Sequence, residues 1–371
     1  LCLDGAEFVL RMAPVADPYQ RFKQYDEFRA IRSMHKQDFR LVTEPEPGLP
    51  RMSGKATFST NNAGFRGGPI HAAKPEGEFR IFLIGGSTIE SLYIDDTQSP
   101  DRLLEDILNR HAPPNTVFRV FNAGFSGHRS TDHVAMIAHK IARYSPDMII
   151  TFTGFNDVME SAKGYRPENG TKVHSASQLL RFAATDLQLG RRLFLLLKRR
   201  EVAGAEDAMQ LVTRVSNYAK NVKLCRALEV SERRPNVDTE RYATNLRSIA
   251  ALSQAHGAKP LFVTQQTTWN SKTEPKASAH SWMLCLNGTR YREDYMDEAM
   301  QAFNRVTIET GKAINVPVVP FHEAAPKSLA VFYDDVHLNY NGCHLFADTV
   351  ARFLLEGKLT PATVVERIHS D

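Results

Sequence analysis

Two short segments far apart in the chain carry the side chains of a proton relay: FLIGGST places Ser87 after an apolar run, and DDVHLN carries Asp334 and His337. A serine hydroxyl attacks an acyl carbon only if a base removes its proton, and the base works best when a carboxylate fixes its tautomer. Asp334 stands three residues before His337. In a tight turn that spacing lets the carboxylate accept from one imidazole nitrogen while the other faces the serine. Asp335 is the alternative orienter, but two residues before the histidine in a turn it points elsewhere. The chain has 13 histidines, and a lone one is ordinarily a surface or satisfied core residue; the DxxH spacing sets His337 apart.

Two further segments offer donors for a developing oxyanion. In FNAGFSGHRSTD (121–132), Gly127 presents a backbone N–H that no side chain blocks, and in TGFNDV (153–158) the neutral amide of Asn156 donates without needing a proton. Gly85 and Gly86 suit a tight strand-to-helix turn, after which the start of a helix brings backbone N–H groups near the oxyanion. Each segment alone has a plainer reading: a glycine turn capped by a structural serine, a loop glycine at positive φ, an asparagine helix cap. Ser126, beside His128, is a competing nucleophile, although neither GxSxG nor a strand-end elbow surrounds it.

These residues need a scaffold that brings strand ends together. The apolar runs FRIFLIG (79–85), VFRVFNA (117–123), MIITFTG (148–154), PLFVTQ (260–265) and VPVVP (316–320) are short, continuous and separated by helical patterns. Such runs predict parallel strands buried on both faces. Ser99 followed by Pro100 predicts a helix start, with Leu104, Ile107 and Leu108 as its apolar stripe. Val134, Ile137, Ala138 and Ile141, and later Phe346, Val350, Phe353 and Leu354, repeat the helical spacing. One-striped helices between parallel strands give a three-layer sandwich with right-handed crossovers, whose ligands sit beyond the carboxyl ends of the strands. Ser87, Gly127, Asn156 and His337 all fall at that rim.

Residues 1–78 read as an arm that packs on the main body, with one or two helices near 18–36, and 79–371 as the main domain. Residues 158–238 interrupt the alternation as a helical insertion. Its segment 158–200 holds nine lysines and arginines against three acidic residues. Leu180, Leu187 and Phe194 recur there near helical spacing, flanked by Arg191, Arg192, Lys198, Arg199 and Arg200. The stretch reads as a helical hairpin with a solvated basic edge, or as an amphipathic lid for an anionic surface.

The formal charge of +4 is mild, and no basic run is interleaved with aromatics, so nucleic acid is not an expected partner. Cys2, Cys225, Cys285 and Cys343 form no CxxC pair of a zinc or redox site. They read as free, partly buried thiols, or with Cys225 and Cys285 as a disulfide. No stretch reaches the roughly 18 apolar residues that span a bilayer. The opening LCLDGAEFVLR reads as the polar exit of an upstream apolar segment, a signal or an anchor helix, although tag cleavage leaves a similar stump.

Together the four chemistry-bearing segments, in this order, resemble the SGNH hydrolase superfamily, also called the GDSL esterase or lipase family. The likeness spans residues 79–356 and extends upstream through NNAGFRG (61–67), which is similar to a lead-in of many bacterial extracytoplasmic members. By that resemblance Ser87 is the nucleophile, Asp334 and His337 complete the triad, and Ser87, Gly127 and Asn156 form the oxyanion hole. It implies a flavodoxin-like α/β/α sandwich with five parallel strands, no metal and no organic cofactor. It further implies an acyl-ester substrate, with acetyl groups on carbohydrate as the class toward which the lead-in points, and an extracytoplasmic or membrane-anchored location. The family's first block usually reads GDS; here Gly86 stands in place of the aspartate. An O-acyltransferase using the same acyl-serine, or a catalytically silent binding domain of an envelope assembly, are the alternatives. Since histidine must be neutral to act as base, activity is expected to fall on the acid side of a pKa near ~6 to 7.

Overall fold

Apolar runs bounded by glycine and polar turns become strands, and the stripes between them become helices. The computed structural model describes residues 34–46, 48–52, 54–164, 218–270 and 277–361. The chain enters through an antiparallel pair, β1 (Arg40–Thr43) with β2 (Ala56–Ser59). Next come β3 (Glu78–Gly85), a one-turn helix α1 (Ser87–Glu90), α2 (Pro100–Arg110) and β4 (Val117–Asn122). Helix α3 (Ser130–Met136), β5 (Met148–Phe152) and α4 (Phe155–Ala162) follow. After residues 165–217 come α5 (Tyr218–Arg226), β6 (Val230–Ser231), α6 (Glu240–Ala255) and β7 (Lys259–Val263). The last part holds β8 (Cys285–Leu286), β9 (Thr289–Tyr291), α7 (Glu293–Ala313), β10 (Val318–Val319), α8 (Phe321–Ala324) and α9 (Tyr340–Glu356).

Among the described residues the main sheet has five strands in the order β10-β7-β5-β3-β4, every pair parallel. The chain runs outward from β3 to β4, then crosses back to β5 on the other side of β3. That reversal makes the crevice above β3 and β5 the switch point at which open α/β sheets bind ligands. Alternate residues feed opposite layers: Phe82, Ile84, Ile149 and Phe262 join one apolar cluster with side chains of α3, α6 and α7. Ile81, Leu83, Ile150 and Leu261 join another with Leu104 and Leu108 of α2 and Phe346, Val350 and Leu354 of α9. This is the three-layer α/β/α sandwich predicted.

The helix start expected at Ser99 and Pro100 is found, with Ser99 at the N-cap of α2, although its hydroxyl donates to the Asp96 carbonyl and makes no side-chain cap. Several local expectations are corrected. The regular helix expected through Ile141 ends at Met136 and widens into a π turn over Ile137–Ile141. The wider turn keeps Ile137 and Ile141 buried but rotates Ala138 to the surface. The strand expected over 316–320 shrinks to Val318–Val319. Of the arm helix expected near 18–36, only 34–36 is described, and it is not helical. The apolar and basic residues singled out between 180 and 200 lie outside the described residues.

Cys225 of α5 and Cys285 of β8 form a disulfide with Cα atoms 5.5 Å apart, whereas Cys343 is a buried free thiol. Among the described residues no helix is long and apolar enough to cross a membrane.

Candidate active site

Ser87 is the first residue of α1, directly beyond the carboxyl end of β3. Close approach requires glycine at Gly85 and crowds any side chain at Gly86. A Cβ on Gly85 would lie 2.7 Å from the Phe152 carbonyl oxygen of the neighbouring strand, and one on Gly86 would lie 2.5 Å from Nδ2 of Asn156. Gly86 has φ −85°, open to any residue, so it is not the turn's conformation that demands glycine there. The segment after α1 is pinned by Arg66, only 2% exposed, whose guanidinium donates to the carbonyls of Glu90, Ser91 and Ile94 and pairs with Asp96 at 3.0 Å.

The loop after β4 folds over the end of β3, with Phe125 N–H donating to the Gly85 carbonyl at 3.1 Å. Gly127 sits in this loop at φ +77°, in the left-handed region that glycine adopts freely. Ser126 donates its hydroxyl to Glu90, whose other carboxylate oxygen lies 3.0 Å from Nε2 of His35. Ser126 therefore serves to fasten the loop and is not paired with His128, whose buried ring packs on Phe125 instead. Asn156 lies in the first turn of α4, beyond the end of β5, and one amide N–H donates to the His128 carbonyl at 2.8 Å.

Asp334 and His337 belong to the turn that leads into α9. Asp334 Oδ1 accepts from the backbone N–H groups of Val336 (3.0 Å) and His337 (2.9 Å), so the turn is held by its own aspartate. Asp334 Oδ2 lies 2.7 Å from His337 Nδ1, and His337 Nε2 lies 2.7 Å from Ser87 Oγ. The carboxylate makes Nδ1 the protonated nitrogen, leaving Nε2 to accept the serine proton. Tyr333 stacks nearly parallel on the imidazole, with ring centres 5.3 Å apart, and Tyr93 packs edge-on against Tyr333.

Burial alone would push the Asp334 carboxyl up. The His337 charge and hydrogen bond, with the two backbone N–H groups, outweigh it and hold the carboxyl below its ordinary range. Burial would push His337 down, but Asp334 and then the buried charges of Asp335 and Glu90 hold the imidazole above its ordinary value. The acid limb expected near ~6 to 7 thus shifts toward higher pH than that of a free imidazole.

Sequence reasoning did not single out Trp282, Tyr333 or Glu90. Trp282 Nε1 donates to Asp334 Oδ2 at 3.2 Å across 52 residues of chain, a separation no local motif signals. Tyr333 directly precedes the DxxH turn, but an aromatic in that place reads as core. Asp335 does point away from the imidazole: it accepts from Trp269, Trp282 and Met283.

The chain matches the GDSL-like Lipase/Acylhydrolase family over residues 83–345. No curated protein matches it. Similar solved structures include the acetylxylan esterase Axe2 of Geobacillus stearothermophilus, 14% identical, with 80% of this chain and 100% of that one covered at a TM-score of 0.43. The lipase/acylhydrolase of Enterococcus faecalis is 14% identical, with 77% and 100% covered at 0.42. A GDSL-like lipase of Bacteroides thetaiotaomicron VPI-5482 is 12% identical, with 75% and 88% covered at 0.40. Because the family match takes in well over half the sequence, the chain belongs to the GDSL-like lipase/acylhydrolase family, the SGNH hydrolases, and is a hydrolase of esters.

Proposed function

We propose that this hydrolase is a serine esterase that removes an O-acetyl group from carbohydrate, with Ser87 as nucleophile, His337 as general base and Asp334 as its orienter. The observation that carries this reading is the continuous relay from Asp334 Oδ2 through both imidazole nitrogens to Ser87 Oγ, each gap 2.7 Å. His337 takes the serine proton as Oγ bonds to the ester carbon. The backbone N–H groups of Ser87 and Gly127 and the amide of Asn156 receive the negative oxygen. As the carbonyl re-forms, the alcohol leaves with the proton from His337, and water clears the acyl-serine by the same route. The aromatic surroundings support a sugar alcohol: Tyr93 and Tyr218, each partly exposed, offer flat apolar faces with polar edges close to the triad turn.

An extracytoplasmic location belongs to the same proposal. The Cys225–Cys285 disulfide supports it, since such bonds persist in oxidising compartments.

The test is labelling by a fluorophosphonate probe, followed by turnover of acetylated sugars against longer-chain esters across a pH series. Ser87 is expected to take the label and Ser87→Ala to lose all serine-dependent turnover. The rate is expected to fall as pH drops through a value above the ordinary imidazole pKa. Labelling at another residue, or a Ser87→Ala protein that keeps its turnover, would refute the assignment; a preference for long acyl chains would refute the acetyl substrate.

A further inference from the structure

The carboxylate that orients the base has more partners than the relay requires. Its Oδ1 is held by two backbone N–H groups of its own turn, and its Oδ2 is shared between His337 Nδ1 and the indole N–H of Trp282. Trp282 is itself placed by the next residue of the same turn. Asp335, with no exposure, accepts at Oδ2 from the backbone N–H groups of Trp282 (2.8 Å) and Met283 (3.2 Å), and at Oδ1 from the indole of fully buried Trp269 (2.7 Å). Thr268 N–H donates to the Asp335 carbonyl at 2.8 Å, tying the end of the β7 loop to the same point. One turn thus supplies the orienting carboxylate and, one residue later, the carboxylate that fastens the segment carrying a donor back to it.

We propose that Trp282 and Asp335 are positioning residues of the triad: Asp335 fixes the Trp282 segment, and the Trp282 indole fixes the second oxygen of Asp334, holding it ionised and in plane with the imidazole. The inference rests on the serine-esterase reading of this site and extends it to two residues that touch neither substrate nor nucleophile. A buried, fully hydrogen-bonded Asp335 could also be explained as a loop anchor alone. What separates the two roles is where the indole ends, on the very oxygen that binds Nδ1. A donor there draws charge from the carboxylate, so removing it makes Asp334 more basic and lets it grip the imidazolium more tightly. The other ionisable groups around the pair are Asp335 and Glu90, the phenols of Tyr93, Tyr218 and Tyr333, and His280.

The experiment compares Trp282→Phe, Asp335→Asn and the double variant on a p-nitrophenyl acetate substrate, and follows the His337 ring by NMR titration. Loss of one charge-assisted hydrogen bond among the four on Asp334 is expected to lower kcat about tenfold with KM unchanged. The His337 titration and the acid limb of kcat are expected to move to higher pH. Asp335→Asn should lower kcat by freeing the same segment, although loss of its charge moves the His337 titration down, so the comparison rests on kcat at a pH where His337 is neutral: there the double variant should be no slower than the slower single. A Trp282→Phe protein with kcat within about twofold of wild type and an unmoved His337 titration overturns the proposal. So does a double variant whose losses multiply. If Asp335→Asn does not fold, the Trp282→Phe result alone decides the indole's role. If the wild-type protein turns over no ester, the esterase reading fails, while the NMR shift still reports on the indole.

Discussion

Gly86 and Asn156 meet so closely that one position decides the other. Where the usual first block of the family has aspartate, this chain has a glycine whose missing Cβ leaves room for the Asn156 amide. That atom is the end of a flexible side chain, so Gly86→Ala can be relieved by rotating Asn156 away, at little cost to the fold. The oxyanion donor proposed above would then be misplaced. Gly86→Ala is therefore expected to cut kcat by roughly 10²-fold, about the loss from removing one oxyanion donor. Its urea midpoint should stay close to wild type, and the size of the kcat loss should match that of Asn156→Ala. If Gly86→Ala keeps full activity, the close approach has no catalytic consequence. At this scale the sequence made legible the residues that stand in local motifs: Ser87 after GG, Asn156 after a strand, and the DxxH turn. It could not show Trp282, Asp335 or Glu90 at work, because their partners are set by tertiary packing, and tryptophan or glutamate types carry no signature of such a role.

Elements show the same division. The strands of the main sheet could be read because burial on both faces writes continuous apolar runs, and the α2 and α9 stripes because Leu104, Leu108, Phe346, Val350 and Leu354 face one core. The π turn after Met136 had no such mark, since Val134, Ile137, Ala138 and Ile141 satisfy the ordinary helical spacing until the backbone widens. The small sheet of β6, β9 and β8 was also unreadable, its strands being two or three residues long. There Leu286 and Tyr291 join the main apolar cluster, and the disulfide adds a covalent tie, joining α5 to β8 across 60 residues of sequence. Glu46 adds a polar tie, accepting from the first two N–H groups of α5, those of Tyr218 (3.1 Å) and Ala219 (3.0 Å). Replacing both cysteines by serine is expected to cost about 4 kcal/mol of unfolding free energy, by the chain-entropy account of a closed loop of this length. Urea unfolding with and without reductant measures it. A wild-type midpoint that reductant does not move would show that the bond contributes nothing to stability.

Across the whole molecule, buried acids set stability and activity against each other in pH. Burial pushes the carboxyl of Asp157 up to about 6, and raises those of Asp101 and Glu105. Burial, with the Asp334 charge added, raises Asp335 as well. A carboxyl whose folded pKa lies above its unfolded value binds its proton more tightly when folded. Its stabilisation is complete below the unfolded pKa, near 4, and is lost as pH climbs through the folded value. His337, also raised, likewise stabilises at low pH and loses that contribution as pH rises through its folded pKa. Asp334 and Asp95, both lowered, act the other way, with stability lost only as pH falls through their depressed values. Between pH 5 and 8 His280 and His322, whose pKa values burial lowers, work against these acids, but the large shifts belong to Asp157, pushed up to about 6, and Asp335, pushed up to about 7, so the fold is expected to be more stable at pH 5 than at pH 8. Catalysis by the proposed relay needs the opposite condition, a neutral His337, which prevails only above its raised pKa. The protein should accordingly turn over ester fastest at a pH where it is measurably less stable. Urea midpoints and kcat measured side by side from pH 5 to 8 test this, and a stability maximum that coincides with the activity maximum would sink it. The conflict has a structural origin: Asp335, whose buried charge helps hold His337 up, is itself held most cheaply when protonated.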